Sequence, residues 1–147
     1  MISINVIAVG KMKEKFYIDA FNEYVKRLGA YCKFSFYEVP ESTLDSEAEA
    51  VIKYLDKKSY VISMCIEGKK MSSEALADRL SSLAVNGTSC ITFIVGGSFG
   101  LSDKIKDLSN FRLSMSDMTF PHHLARVMLL EQIYRAFKIN EGSSYHK

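Results

Sequence analysis

Three stretches of this 147-residue chain carry groups with chemical potential. The last residues, Tyr145, His146 and Lys147, set an aromatic ring, an imidazole and an ammonium side by side. Imidazole is the side chain whose unperturbed pKa lies nearest neutrality, so the trio carries a proton-transfer group beside an aromatic ring. It follows Gly142, Ser143 and Ser144, and such a segment frays in solvent unless it folds back onto the domain. From the tail alone both readings stay open.

The second stretch is FIVGGSFGLSDK, residues 93–104, in which an apolar run enters Gly96, Gly97 and Gly100 and then a helix opened by Ser102 and Asp103. Glycine is needed where a backbone turns sharply or must approach a ligand with no side chain between. Ligands of open parallel sheets lie beyond the carboxyl ends of the strands. A ligand-holding turn and a plain tight turn are equally compatible with so short a pattern. The dinucleotide fingerprint G-x-G-x-x-G is not met: the glycines are paired as GG-x-x-G and follow the fourth strand, although Asp117 stands near the offset of the fingerprint's acid. No GK[ST] follows, so the Walker pattern is absent.

The third stretch is LSMSDMTFPHHLAR, residues 113–126, a strand leading through Ser116, Asp117, Met118 and Thr119 into a helix at Pro121. Its loop backbone, with Met115, Met118 and Phe120, would suit an adenine ring. His122 and His123 are adjacent and diverge by about a quarter-turn on a helix, and no Cys or acid completes a ligand set, so no metal is expected. Arg126, Glu131 and Arg135 are expected on a polar helix face, with Glu131 and Arg135 an i,i+4 pair.

The elements that must position these groups alternate. ISINVIAVG, KFSFYEVP, SYVISMCI, SCITFIV and FRLSMS read as strands. EKFYIDAFNEYVKRLG, TLDSEAEAVIKYLDKK, SSEALADRLSSLAVNG, SDKIKDL and FPHHLARVMLLEQIYRAFKI read as helices, and EGKK as a turn. The pattern predicts one α/β domain over residues 1–147, a mostly parallel sheet with helices on both faces. Lys plus Arg number 19 and Asp plus Glu 17, a net charge of +2 too mild to announce a nucleic-acid binder, though a local patch or second subunit could gather charge. No signal peptide or membrane-spanning run is visible. Cys32, Cys65 and Cys90 form neither a CxxC pair nor a disulfide framework and read as free thiols in a reducing cytoplasm.

Taken together, VGGSFGL, LSMSDMTFPHHLARVMLLEQIYRAFKI and the terminal YHK resemble the bacterial large-subunit ribosomal RNA pseudouridine-N3 methyltransferases, of the SPOUT or trefoil-knot class. The resemblance extends to IAVGKMKEKFYIDAFNEYVKRLGAY and IEGKKMSSEALA, nearly the whole chain. Two departures stand out: PESTLDSEAEAVIKYLDKKSYV is about a dozen residues shorter than the family pattern, and Cys65 stands where the family shows an acid. The resemblance implies a C-terminal trefoil knot, a homodimer, no metal, and S-adenosylmethionine held by Met64, Gly96, Met115, Ser116, Asp117, Met118, Thr119 and Phe120. It also implies a ribosomal RNA substrate, on the assembled ribosome, with the tail folded over the site: His146 as base for the N3 proton, Lys147 as cation, Tyr145 as stacking ring. A ribosome-binding module without catalysis and a nucleotide-dependent α/β metabolic enzyme are the alternatives.

Overall fold

A computed structural model of the chain describes residues 1–147. Five strands, β1 (Ser3–Val9), β2 (Lys33–Val39), β3 (Tyr60–Lys70), β4 (Cys90–Val95) and β5 (Phe111–Ser114), form a single sheet in the order β2-β1-β4-β3-β5. Every pairing is parallel. Five helices intervene: α1 (Lys15–Leu28), α2 (Leu44–Tyr54), α3 (Ser73–Val85), α4 (Asp103–Leu108) and α5 (His122–Glu141). None is long and apolar enough to cross a membrane.

Alternation along β1 separates two cores, because successive side chains of a strand leave on opposite faces. Ile4, Val6 and Ala8 join Phe21 and Leu28 of α1, Leu76 and Leu80 of α3, and Leu130 and Ile133 of α5. Ile7 and Val9 join Val51 of α2 and Ile105 of α4. Strand β4 is buried at every position, as a central parallel strand covered on both sides must be. The expected serine starts are present: Ser72 Oγ accepts from Ala75 N and Ser102 Oγ from Ile105 N, each satisfying an otherwise unpaired helical N–H.

Three expectations need correction. EGKK is not a turn, because β3 continues through Lys70; the irregularity is a bulge in which Met64 and Lys69 both face Leu113 of β5. Gly68 makes this possible, since a Cβ there would stand 2.8 Å from the backbone carbonyl of Arg112. Helix α2 ends at Tyr54, where Leu55 is already extended, so LDKK lies beyond it. Arg126 is not on a polar face. It is fully buried and donates to Val9 O at 2.6 Å, Gly10 O at 2.7 Å and Glu38 Oε2 at 2.9 Å. Helical spacing could not reveal this, because the partners are carbonyls at the end of β1 and a carboxylate of β2, 88 to 117 residues earlier. The cysteines are all free, Cys32 and Cys90 buried and Cys65 half-buried. Burial pushes the Cys32 thiol up to about 11, which keeps it protonated and inert.

Candidate active site

The sheet order sets β4, β3 and β5 side by side, so the segments that leave their carboxyl ends meet. After β4 the chain folds back on itself: Gly100 N donates to Gly97 O at 3.1 Å, and Gly100 takes φ +75°, a left-handed conformation that favours glycine. A Cβ on Gly96 would stand 2.5 Å from the carbonyl of Gly100. The missing side chain at Gly96 is therefore demanded first by the turn's own backbone. Glu41, just past β2, braces the turn through a 3.2 Å hydrogen bond from Ser98 Oγ.

The segment after β5 is held by short-range serine contacts. Ser114 Oγ donates to Ser116 O at 3.1 Å, and Ser116 Oγ accepts from Met118 N at 3.0 Å. Asp117 points outward and pairs with Lys70 of the β3 bulge. On the same bulge Glu67 pairs with Lys106 of α4, which holds the Glu67 carboxyl below its usual range.

Between bulge, glycine turn and post-β5 loop lies a cavity of about 620 Å³. Met64, Gly96, Met115, Ser116, Met118, Thr119 and Phe120 line it; Asp117 does not. Lys106 and His122 also face it. Burial, then the neighbouring His123 and Arg126, pulls the His122 imidazole below its ordinary 6.5, so it is neutral at neutral pH. His123 instead turns its Nδ1 to Glu14, 3.3 Å away. A second cavity, about 540 Å³, opens toward α1, α3 and α5, and Met64, Leu113, Ser114 and Met115 form a wall common to both.

The tail is docked beside this second cavity. Tyr145 donates its hydroxyl to Glu131 Oε2 at 2.7 Å, sets its ring edge-on to Tyr134 at 5.1 Å, and lies beneath the Arg135 guanidinium at 4.8 Å. Glu131, which lines the cavity, also holds Arg135 at 2.9 Å, the expected i,i+4 pair. Arg135 Nη1 lies 3.0 Å from His146 Nδ1, and His146 Nε2 lies 2.7 Å from Glu74 Oε1 at the start of α3. Burial, then the bond to Glu131, pushes the Tyr145 phenol up to about 12. The bond from His146 holds the Glu74 carboxyl below its usual range. None of Tyr145, His146 and Lys147 lines the first cavity. The sequence-level reading missed Glu74 and Lys106; each gains its role from a partner dozens of residues away, and no local spacing marks it.

A parallel sheet in which the β3 bulge and the loops after β4 and β5 bound one cavity is arranged to hold a small molecule. The family described as "Predicted SPOUT methyltransferase" matches residues 2–146, and the chain belongs to it. Within that class, several of the chain's curated relatives share one name. It is 48% identical over 157 aligned positions to the Ribosomal RNA large subunit methyltransferase H of Bifidobacterium adolescentis, covering 98% of this chain and 99% of that protein. To the protein of the same name from Acetivibrio thermocellus it is 45% identical with the same coverage. Both alignments are longer than the 147 residues here, so the relatives carry positions with no counterpart in this chain. Two solved structures share the fold at 15% identity. A probable methylase family protein from Haemophilus influenzae matches with TM-score 0.61 over 98% of this chain and 70% of that one, and the tRNA (m1G37) methyltransferase of Aquifex aeolicus with TM-score 0.55 over 90% and 69%.

Proposed function

We propose that this chain is an S-adenosylmethionine-dependent methyltransferase that modifies N3 of a pseudouridine in 23S ribosomal RNA. It does so in the cytoplasm, on the assembled ribosome, as a homodimer with its C-terminal segment knotted. One observation carries the reading: seven of the eight residues that the family resemblance assigns to the methyl donor converge on one cavity. Two relatives of near-equal length that bear the name Ribosomal RNA large subunit methyltransferase H support the substrate.

The cavity suits the donor. Its volume lies within the range of small-molecule sites, and the methionines and Phe120 offer an apolar bed for a purine beside loop backbone groups. S-adenosylmethionine bound there supplies a methyl group already activated on a positively charged sulfur. The protein's task is then positioning and one proton, because N3 of the target is a weak acid that must lose its hydrogen to attack. His146 has the side chain for that proton, and the docked tail borders a cavity that shares its Met64 and Met115 wall with the donor site. Lys147 supplies a cation and Tyr145 a ring beside it. Exposed Ile66 of β3 and Phe99 and Met118 of the donor-site loops give a second subunit apolar surface to cover, in keeping with a dimer.

The test has two stages. Calorimetric titration should show binding of S-adenosylmethionine and not of NAD or ATP. Ribosomes from cells lacking the protein should then gain one methyl group in 23S RNA on incubation with it, located by mass spectrometry of nuclease fragments. Binding of ATP or NAD alone would favour a metabolic enzyme, and ribosome binding with no methyl donor would favour a non-catalytic module.

A further inference from the structure

His146 is held from both sides, and the chemistry of the two partners fixes its state. A guanidinium is only a donor, so Nδ1, 3.0 Å from Arg135 Nη1, must present its lone pair. The neutral ring then carries its hydrogen on Nε2, aimed at Glu74 Oε1 at 2.7 Å. Glu74 belongs to the first turn of α3, which the Ser72 cap anchors, so its carboxylate is fixed to the domain and not to the tail. The other charged or titratable groups around the ring are Glu131 of α5, which holds Arg135, and the neighbouring Tyr145 and Lys147 of the tail.

From this geometry we infer that Glu74 is a positioning residue for methyl transfer: it binds Nε2–H of His146 and so turns a basic Nδ1 toward the substrate. The inference rests on the function proposed above. A carboxylate on one imidazole nitrogen fixes tautomer and orientation and stabilises the ring once the other nitrogen is protonated. Arg135 Nη1–H occupies the place on Nδ1 that a substrate N–H must take, and it yields that place when the base enters. The N3–H bond of the pyrimidine then breaks, its electron pair staying on N3 while the proton bonds to Nδ1. The pair on N3 forms the bond to the methyl carbon as the carbon–sulfur pair departs with sulfur, leaving a neutral thioether. The proton on His146 passes to water.

The test compares wild type, Glu74→Ala, Glu74→Gln and His146→Ala, by turnover and by nitrogen-15 NMR of the histidine rings in the free protein. Wild type should show His146 with hydrogen on Nε2, in a hydrogen-bonded signal slow to exchange. Glu74→Ala should lose that signal to exchange and lower kcat about ten- to a hundredfold, part of the 10²–10⁴ that general-base catalysis supplies, with KM for RNA and methyl donor unchanged. Glu74→Gln keeps an acceptor oxygen and should restore the signal, but it lacks the charge that stabilises the protonated ring, so its turnover should stay below wild type. A His146 hydrogen on Nδ1, or a Glu74→Ala protein with wild-type kcat, overturns the inference. His146→Ala separates the two levels. If its turnover collapses while Glu74→Ala is normal, Glu74 alone is misassigned; if His146→Ala is itself normal, His146 is not the base and the inference falls, while methyl transfer by the chain stands.

Discussion

Helix α5 joins two regions built on opposite plans. At its amino end lie the donor-site loops, shaped by backbone: Gly96 folds against Gly100, Gly68 against Arg112, and the 115–120 loop is closed by serines two residues apart. At its carboxyl half lies the tail, whose Tyr145 and His146 are held by side chains from α3 and α5. A backbone-shaped site keeps its form whether or not a ligand is present, because its geometry is covalent and steric. A side-chain-held segment is worth only a few exchangeable hydrogen bonds, so it can open and close. The placement matches the proposed division of labour, with a fixed bed for the methyl donor and a releasable arm for the proton.

The sharpest way to break this comparison is to remove the arm's reactive group. His146→Ala should leave affinity for S-adenosylmethionine near wild type and lower turnover by roughly two to four orders of magnitude. Raising the pH should restore part of the loss, because hydroxide can take the N3 proton directly. Single-turnover methylation between neutral and alkaline pH checks both points. A loss with no recovery would make His146 a positioning group, and parallel loss of donor affinity would mean that tail and bed are one region.

Next in size is the brace beneath the bed. Arg126 ties α5 to Val9 O, Gly10 O and Glu38, with no exposure of its own. Arg126→Met would leave those acceptors facing an apolar side chain, and removing one partner of a buried ion pair costs about 3–5 kcal/mol. Glu38 keeps contact with water, its side chain 30% exposed, so the lower end of that range is expected in urea unfolding. A variant of wild-type stability would show that the bed needs no brace.

Gly96→Ala tests the bed itself. The added methyl meets the Gly100 carbonyl at 2.5 Å, with backbone and not a flexible side chain in the way, so the turn must shift. Donor affinity should fall at least tenfold, about 1.4 kcal/mol, while His146 keeps its NMR signature because the tail does not touch the turn. Unchanged affinity in the titration would take Gly96 out of the site.

The same contrast explains what could be read from the chain beforehand. Strand and helix order, the parallel sheet and the glycine turn were legible, because alternation, β-branched runs and paired glycines are local signals. The bulge in β3 was not: its cause, Gly68 lying on the β5 backbone, joins positions 44 residues apart, and EGKK in isolation reads as a turn. Arg126 was misread for a related reason. Two of its three partners are backbone carbonyls, which no sequence displays, and the third, Glu38, is 88 positions away, so a buried cation looked like one side of a solvated helix. The docking of Tyr145 and His146 was likewise invisible in the residues, since Glu74 is 72 positions from His146. The family resemblance supplied a folded-back tail, but not the surface on which this one rests.

The smallest expected effect sharpens the comparison at the tail's edge. Tyr145 is held neutral by burial and by its bond to Glu131, and its phenol is pushed up from 10.0 to about 12. A folded-state pKa raised above the unfolded one contributes stability that is complete below the unfolded value and lost as pH rises through the folded value. Docking should therefore be intact below pH 10 and weaken between 10 and about 12, as the phenolate meets the Glu131 carboxylate. Tyr145→Phe removes the hydroxyl and keeps the ring against Tyr134 and Arg135, so it should weaken docking by about 1 kcal/mol or less. Absorbance of phenolate during alkaline titration measures this directly. Wild type should show a late-ionising tyrosine that Tyr145→Phe lacks and that Glu131→Gln moves to lower pH, since the amide is a weaker acceptor. If Glu131→Gln left the titration unchanged, Glu131 would not be what holds the hydroxyl, and the tail would owe its place to the ring's packing on Tyr134 and Arg135 and to the contacts of His146.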